Sequence, residues 1–324
     1  MTDSFFIHKR ILSFLLILLT ALALYLETRF SSRREVLFGY VPRKFGATYM
    51  NMDNPYFDAL NDSLEEVITA NGDVLITRDG AYDQNKQNEQ IYEMIREGCD
   101  AIFVNPVDQD LIRPALLSCA EAGIPVFDVD TEVSDSELVT STIISDNYDA
   151  GVQIAFDIMK KRSTARIAII YDAKVNSTVM RVRGFKDTIK KQDSYHIVAI
   201  DTSTSVLEQS MKVTEKMIDD GVKFDACLGG NDPTALGMLS AIQLKGINWP
   251  MIIYGIDGSP DFKTMIDKGQ VEGTSAQFPI QVGATAAETA YKYLDGEEVE
   301  KLVVIPVKLI TEDNLKEYDI NGWQ

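Results

Sequence analysis

The chain has 324 residues, 45% hydrophobic and 25% charged, an ordinary globular balance with length enough for two domains that each bury a core. Acidic residues outnumber basic ones by 49 to 31, a formal net charge of −18. Such a chain is repelled by phosphate backbones and anionic membrane surfaces, which excludes nucleic acid as a partner.

The N-terminus sets the compartment. His8, Lys9 and Arg10 precede an apolar run from Ile11 to Leu26, and Glu27 and Arg29 follow it. A short basic segment before an apolar stretch is an export signal. Its length lies between a signal core and a spanning helix, which wants about 20 residues. Residues 1–35 are therefore expected to form a signal or anchor segment, with an uncleaved anchor favoured over a cleaved signal at Ala21-Leu22-Ala23. Everything beyond is expected outside the cytoplasm, in the periplasm or at the cell surface.

Beyond this segment, strand-like runs alternate with amphipathic helical patterns. Phe45–Met50 reads as a strand and Asn54–Ala70 as a helix stopped by Asn71-Gly72. Val74–Thr77, the helix around Asn88–Glu97, Ala101–Asn105, the helix Leu111–Ala122 and Pro125–Asp130 follow. A second series begins after Ile144–Asn147. It runs Arg166–Tyr171, helix Arg181–Lys191, His196–Ile200, helix Val206–Asp220, Ala226–Gly229, helix Thr234–Lys245, Met251–Ile256 and Gly273–Ala276. This alternation predicts an α/β fold with two doubly wound parallel sheets built from right-handed βαβ units.

The two halves share a pattern. Each has a strand leading to Asn, then a helix, then a Pro-led strand leading to Asp: Asn105 and Asp130 in the first, Asn231 and Asp257 in the second. In open parallel sheets, ligands sit outside the carboxyl ends of the strands. Two facing edges would form a clamp of two amides and two carboxylates. The alternative for any single one of these residues is a helix cap.

The residue types suit a polyhydroxy ligand. Carboxylates accept hydroxyl protons through charge-assisted bonds, amides donate and accept at once, and aromatic rings cover apolar C–H faces. Asn54-Pro55-Tyr56-Phe57 supplies amide and aromatics after the first strand, Arg181 is expected to open a helix after Tyr171, and Gln277 follows Gly273–Ala276.

Catalytic chemistry finds little support. Of the two histidines, His8 lies in the N-terminal segment and His196 in a strand-like run, with no nucleophile elbow nearby. There is no phosphate-binding GxxxxGK[ST] and no GxGxxG after a strand. Asp130 and Asp257 would make an acid/base pair in a glycoside hydrolase, but the amides around them suit binding better. Cys99, Cys119 and Cys227 form no CxxC pair and read as buried thiols, so no metal or cofactor is expected.

Roughly residues 42–310 resemble the periplasmic sugar-binding protein family that includes the ribose- and galactose-binding proteins, of the type I periplasmic binding protein fold. The resemblance rests on Asp53-Asn54-Pro55-Tyr56-Phe57, Asn105-Pro106-Val107-Asp108, Ile124 to Asp130, Ser145-Asp146-Asn147, Arg181 to Phe185, Asn231-Asp232, Gly255 to Asp261 and Ala276-Gln277. It implies ligand contacts at Asn54, Tyr56, Phe57, Asn105, Asp130, Arg181, Asn231, Asp257 and Gln277. It also implies a first lobe of residues 42–144 plus 278–307 and a second of 145–277 plus 308–324, joined by a three-crossing hinge. Thr131 stands where the ribose-type pattern has an Arg, Ile256 where it has an aromatic, and Ser203–Ser205 lacks a further stacking ring. The implied ligand is therefore a monosaccharide or related polyol rather than ribose in particular. The expected protein is a monomeric, non-enzymatic solute-binding protein that serves an ABC transporter permease. The alternative is a membrane-anchored subunit that reports sugar occupancy to a receptor or histidine kinase. A transcription-factor effector domain shares the fold but needs a helix-turn-helix before residue 40, where the apolar segment stands.

Overall fold

The computed structural model describes residues 40–324, and the expected signal or anchor segment lies outside the described residues. Lys44–Gln324 forms a compact unit of its own.

Two six-stranded sheets organise that unit. The first contains β1 (Lys44–Tyr49), β2 (Val74–Asp79), β3 (Ala101–Val104), β4 (Val126–Val129), β5 (Ser141–Ser145) and β11 (Leu302–Ile305), in the order β2-β1-β3-β4-β5-β11. The second contains β6 (Ala165–Tyr171), β7 (Tyr195–Thr202), β8 (Ala226–Gly229), β9 (Ile252–Asp257), β10 (Gly273–Ala276) and β12 (Lys308–Thr311), in the order β7-β6-β8-β9-β10-β12. The two orders match position for position. Every pairing is parallel except that of β12 with β10, which is antiparallel because only Pro306 and Val307 separate β11 from β12. The chain passes between the sheets three times: after β5, after β10 and after β11.

Helices cover both faces of each sheet, as buried parallel strands require. On one face of the first sheet lie α1 (Pro55–Ala70) and, later in the chain, the helix Pro279–Leu294. Their Leu60, Leu64, Ile68, Val282 and Ala286 pack on Phe45, Phe103, Phe127 and Ile143. α2 (Gln84–Arg96) and α3 (Arg113–Ala122) cover the other face through Ile91, Met94, Leu116 and Cys119. On the second sheet, α4 (Asn147–Lys161) and α5 (Asn176–Ile189) pack Ile154, Ile158, Val182 and Phe185 against Ile167, Ile169 and Tyr254. Its opposite face carries α6 (Leu207–Asp219), α7 (Asp232–Leu244) and α8 (Pro260–Asp267), with Met217, Met238, Ile242 and Phe262 buried there. The helix Pro279–Leu294 is α9.

Local chemistry explains where several helices start. Asn54 caps α1 by accepting from the Tyr56 amide, with Pro55 at the first helical position. Asp83 caps α2 by accepting from the amides of Asn85 and Lys86. Asn231 caps α7 and Ser259 caps α8, each ahead of a proline in the first turn. The helix pair α4–α5 closes on two glycines. A Cβ on Gly151 would lie 1.9 Å from the Arg181 carbonyl oxygen, and one on Gly184 would lie 2.0 Å from that of Tyr148.

Candidate functional site

A narrow cleft with a cavity of about 30 Å³ lies between the carboxyl ends of the two sheets. Asn54, Tyr56, Phe57, Asp130, Arg181, Asn231, Asp257 and Gln277 line it. The structure thus brings eight of the nine residues named from the sequence to one place. Asn105 does not line the cleft. It is fully buried behind the wall, where its amide donates to Asp130 Oδ2 (3.1 Å) and its Oδ1 accepts from the Met50 amide (3.1 Å). Its place is that of a support for Asp130.

Asp130 follows β4 in a left-handed conformation, with φ at 68°. This turns its carboxylate off the strand end and into the cleft. Oδ2 accepts from Asn105 and from Thr131 Oγ1 (3.0 Å). Burial raises its pKa, and Arg181, Thr131, Tyr56 and Asn105 partly offset that rise. The Tyr56 hydroxyl, also buried, has no well-formed hydrogen bond but lies in the field of Asp130.

Asp257 ends β9 at the matching position in the second sheet. Its Oδ1 accepts from Gln277 Nε2 (2.8 Å) and lies 3.7 Å from Arg181 Nη1, and its Oδ2 faces the Asp232 amide at 3.4 Å. Asp232 is fully buried, accepting from Thr274 Oγ1 and the Ser259 amide, both at 2.8 Å. Burial and the Asp232 carboxyl push Asp257 well above the usual carboxylate range. Asp232 is likewise raised, by burial above all. Two carboxyls this close in a dry site do not both ionise readily.

Arg181 differs from expectation in its place. α5 begins at Asn176, so Arg181 lies inside the helix rather than opening it. Its Nε donates to Asn147 Oδ1 (2.8 Å) and its Nη1 to the Gly230 carbonyl (2.9 Å), which fixes the guanidinium plane in the cleft wall. Asn231 both lines the cleft and caps: Oδ1 accepts from the Thr234 amide and Nδ2 donates to the Ser205 carbonyl. The helix-cap alternative and the cleft position therefore coincide at this residue. Asn54 also combines the two roles. Gln277 keeps its Oε1 buried and unpartnered.

Sequence reasoning missed Met50, Asn51, Tyr82, Val175, Ser177, Thr178 and Ser205, which complete the lining. Tyr82 sits in the turn after β2, another strand carboxyl end, and that position was the available signal. Among the described residues, non-glycine positive φ occurs at Ala81, Tyr82, Asp130, Ser205 and Asp257, and all but Ala81 line the cleft. Backbone strain concentrates where a side chain must be aimed at a ligand.

The two sheets' loops meet around the cleft. Thr131 Oγ1 and Ser177 Oγ are 3.0 Å apart, and Asn176 Nδ2 donates to Glu132 Oε2 at 2.6 Å. Val175 packs with Met50, Tyr56 and Phe57, and Trp323 sets its ring edge-on to Tyr56. Asp130, Arg181, Asp257 and Gln277 are each at most 5% exposed, so the arrangement is closed. Among the described residues, no helix is long and apolar enough to cross a membrane, and no cluster of potential metal ligands occurs.

Comparison with known proteins agrees with this geometry. Residues 45–298 match the family model of the periplasmic binding protein domain. The ribose import binding protein of Bacillus subtilis is 28% identical over 275 residues, which cover 82% of this chain and 87% of that protein. An ABC transporter solute-binding protein from Bacillus halodurans, solved with bound myo-inositol, superposes with a TM-score of 0.80 at 26% identity, covering 86% of this chain and 98% of that one. A Caulobacter myo-inositol binding protein gives 0.79 at 25% identity, covering 86% and 98%. The chain belongs to the periplasmic binding protein domain family, whose members bind solutes without transforming them.

Proposed function

We propose that this protein binds a monosaccharide or related polyol between two lobes, outside the cytoplasm, and delivers it to an ABC transporter permease. The observation that carries this reading is the pairing of Asp130 and Asp257. They leave matched strands of two matched sheets and face one cleft, each turned there by a positive φ. Arg181, Asn54, Tyr56, Phe57 and Gln277 add the donors, acceptors and ring faces that a hydroxylated ring requires. The ribose and myo-inositol named for its relatives are both polyols, which favours the same class here.

The lobes that close on the ligand are residues 42–144 plus 278–307 and 145–277 plus 308–324, acting as a monomer. The basic-then-apolar N-terminus favours export with the segment retained as a tether. A thermal-shift screen against pentoses, hexoses and inositols tests the reading. A ligand that binds only the folded state raises the melting temperature by mass action. A screen in which no sugar or polyol stabilises the protein overturns it.

A further inference from the structure

The charges in the cleft do not balance. Asp130, Asp257 and, directly behind Asp257, Asp232 bring three buried carboxyls together, and Arg181 is the one cation that the described residues place among them. Arg181 is already committed. Its Nε and Nη1 are held by Asn147 and Gly230, and its ion-pair contact is with Asp257, on its own side of the cleft. Asp130, on the other side, accepts from neutral donors, the Asn105 amide and the Thr131 hydroxyl; Arg181 acts on it through its field but makes no ion-pair contact with it among the described residues. A buried carboxylate without a cation in contact is costly.

The hydrogen-bond inventory leans the same way. Gln277 Oε1, an acceptor, is buried in the wall without a partner. The Asn105 and Thr131 bonds to Asp130 both fall on Oδ2, so Oδ1 is the oxygen turned towards Tyr56 and a ligand donor. The Tyr56 hydroxyl faces the same carboxyl and can also accept from a ligand donor. A hydroxyl brings one proton to such a wall, while an ammonium brings three and the missing charge.

We propose that the preferred ligand is an amine-bearing polyol, an amino sugar or amino-cyclitol, whose ammonium pairs with Asp130. This rests on the polyol reading above and narrows it. The hydroxyls face Arg181, Asp257 and Asn54, and the ammonium takes the place of the cation that the Asp130 side lacks. Burial is the main cause of the raised pKa of both Asp130 and Asp257, and Arg181 lowers it in each.

The test is calorimetric titration of the protein with matched pairs: D-glucosamine against D-glucose, D-galactosamine against D-galactose, and amino-inositols against their parent inositols. At neutral pH one amine member is expected to bind about ten- to a hundredfold tighter than its hydroxyl partner. Asp130→Asn suits the left-handed backbone, since Asn tolerates positive φ. It removes the charge and should bring the ratio close to one. Thr131→Lys, which places an ammonium beside the same carboxylate, should erase the preference independently. Neutral members binding as tightly as their amine partners overturn this inference and leave the polyol reading standing. In that case a carboxyl proton, not the ligand, neutralises the cleft. An amine preference that survives both substitutions overturns the assignment to Asp130. If no member of any pair binds, both readings fall.

Discussion

Carboxylates as buried as Asp130 and Asp257 persist only where neighbours or a ligand supply hydrogen bonds. Each is expected to make about two ligand hydrogen bonds, worth roughly 0.5–1.5 kcal/mol apiece, or 1.5–3 where the carboxyl is ionised. Asp130→Ala and Asp257→Ala are each expected to weaken ligand binding by about two to four decades while the far-ultraviolet circular dichroism stays native. Binding within threefold of wild type in either variant would mark that residue as structural. Asp257 also makes stability depend on pH. Its folded-state pKa is raised above the unfolded value, so the folded state holds a proton that the unfolded state has released. That stability is full below about pH 4 and is lost as the pH rises towards about 8. The melting temperature should therefore fall between about pH 6 and about pH 8. Asp257→Asn should flatten this slope, because the Gln277 amide can turn its unpartnered Oε1 towards the new side-chain amide. Parallel pH profiles for the two proteins would show that Asp257 does not carry the effect.

The elements that aim these residues were unevenly legible. β8 and β10 could be read residue for residue, because buried parallel strands are continuous apolar or small runs closed by a change in composition. The start of α2 was read late. Its first turns, Gln84 to Gln90, bury amides rather than apolar side chains, and Gln87 donates to the Asn105 carbonyl while accepting from the Val107 amide. Hydrophobic periodicity cannot register a face buried through amides. α4 carries a weak signal because Gly151 interrupts its apolar stripe directly after the apolar run of β5. The N-terminus of α5 was missed for a related reason: Asn176, Ser177 and Thr178 are weak helix formers, with Asn176 and Ser177 held by Glu132 and Thr131 across the cleft and Thr178 by the Asp172 and Val175 carbonyls. Both misreadings meet at Arg181. Its carbonyl touches Gly151 and its Nε is held by Asn147, so the α4–α5 contact sets its position. Gly151→Ala would drive a methyl into that carbonyl. The expected cost is about 1–3 kcal/mol of stability, with a loss of ligand affinity although residue 151 is outside the cleft. A variant with wild-type melting temperature and affinity would contradict this coupling.

At the scale of the molecule, the proposed ligand groups are divided between two sheets. Asn54, Tyr56, Phe57 and Asp130 leave the first, while Arg181, Asn231, Asp257 and Gln277 leave the second. Neither set alone satisfies every hydroxyl of a desolvated ring, and unpaired buried polar groups are expensive. Ligand is therefore expected to favour the closed arrangement over an open one, and three short chain crossings suit hinge closure. Spin labels on cysteines introduced at Leu117 and Leu244, exposed on α3 and α7, report it. The native Cys99, Cys119 and Cys227 are buried and should not label. The inter-label distance distribution should narrow and shift when ligand is added, and an unchanged distribution would point to a rigid, preformed pocket. Export is tested separately. Alkaline phosphatase fused after Tyr40 should be active outside the cytoplasm, and an inactive, cytoplasmic fusion would contradict the reading of the N-terminal segment. The most direct test of the whole account is calorimetric titration of the protein with neutral and amine-bearing pentoses, hexoses and inositols, repeated on Asp130→Ala and Asp257→Ala. Saturable one-to-one binding of at least one of these compounds is expected, and its loss in both variants; a panel with no binder, or binding undiminished in both variants, would overturn the assignment of the cleft as a sugar or polyol site.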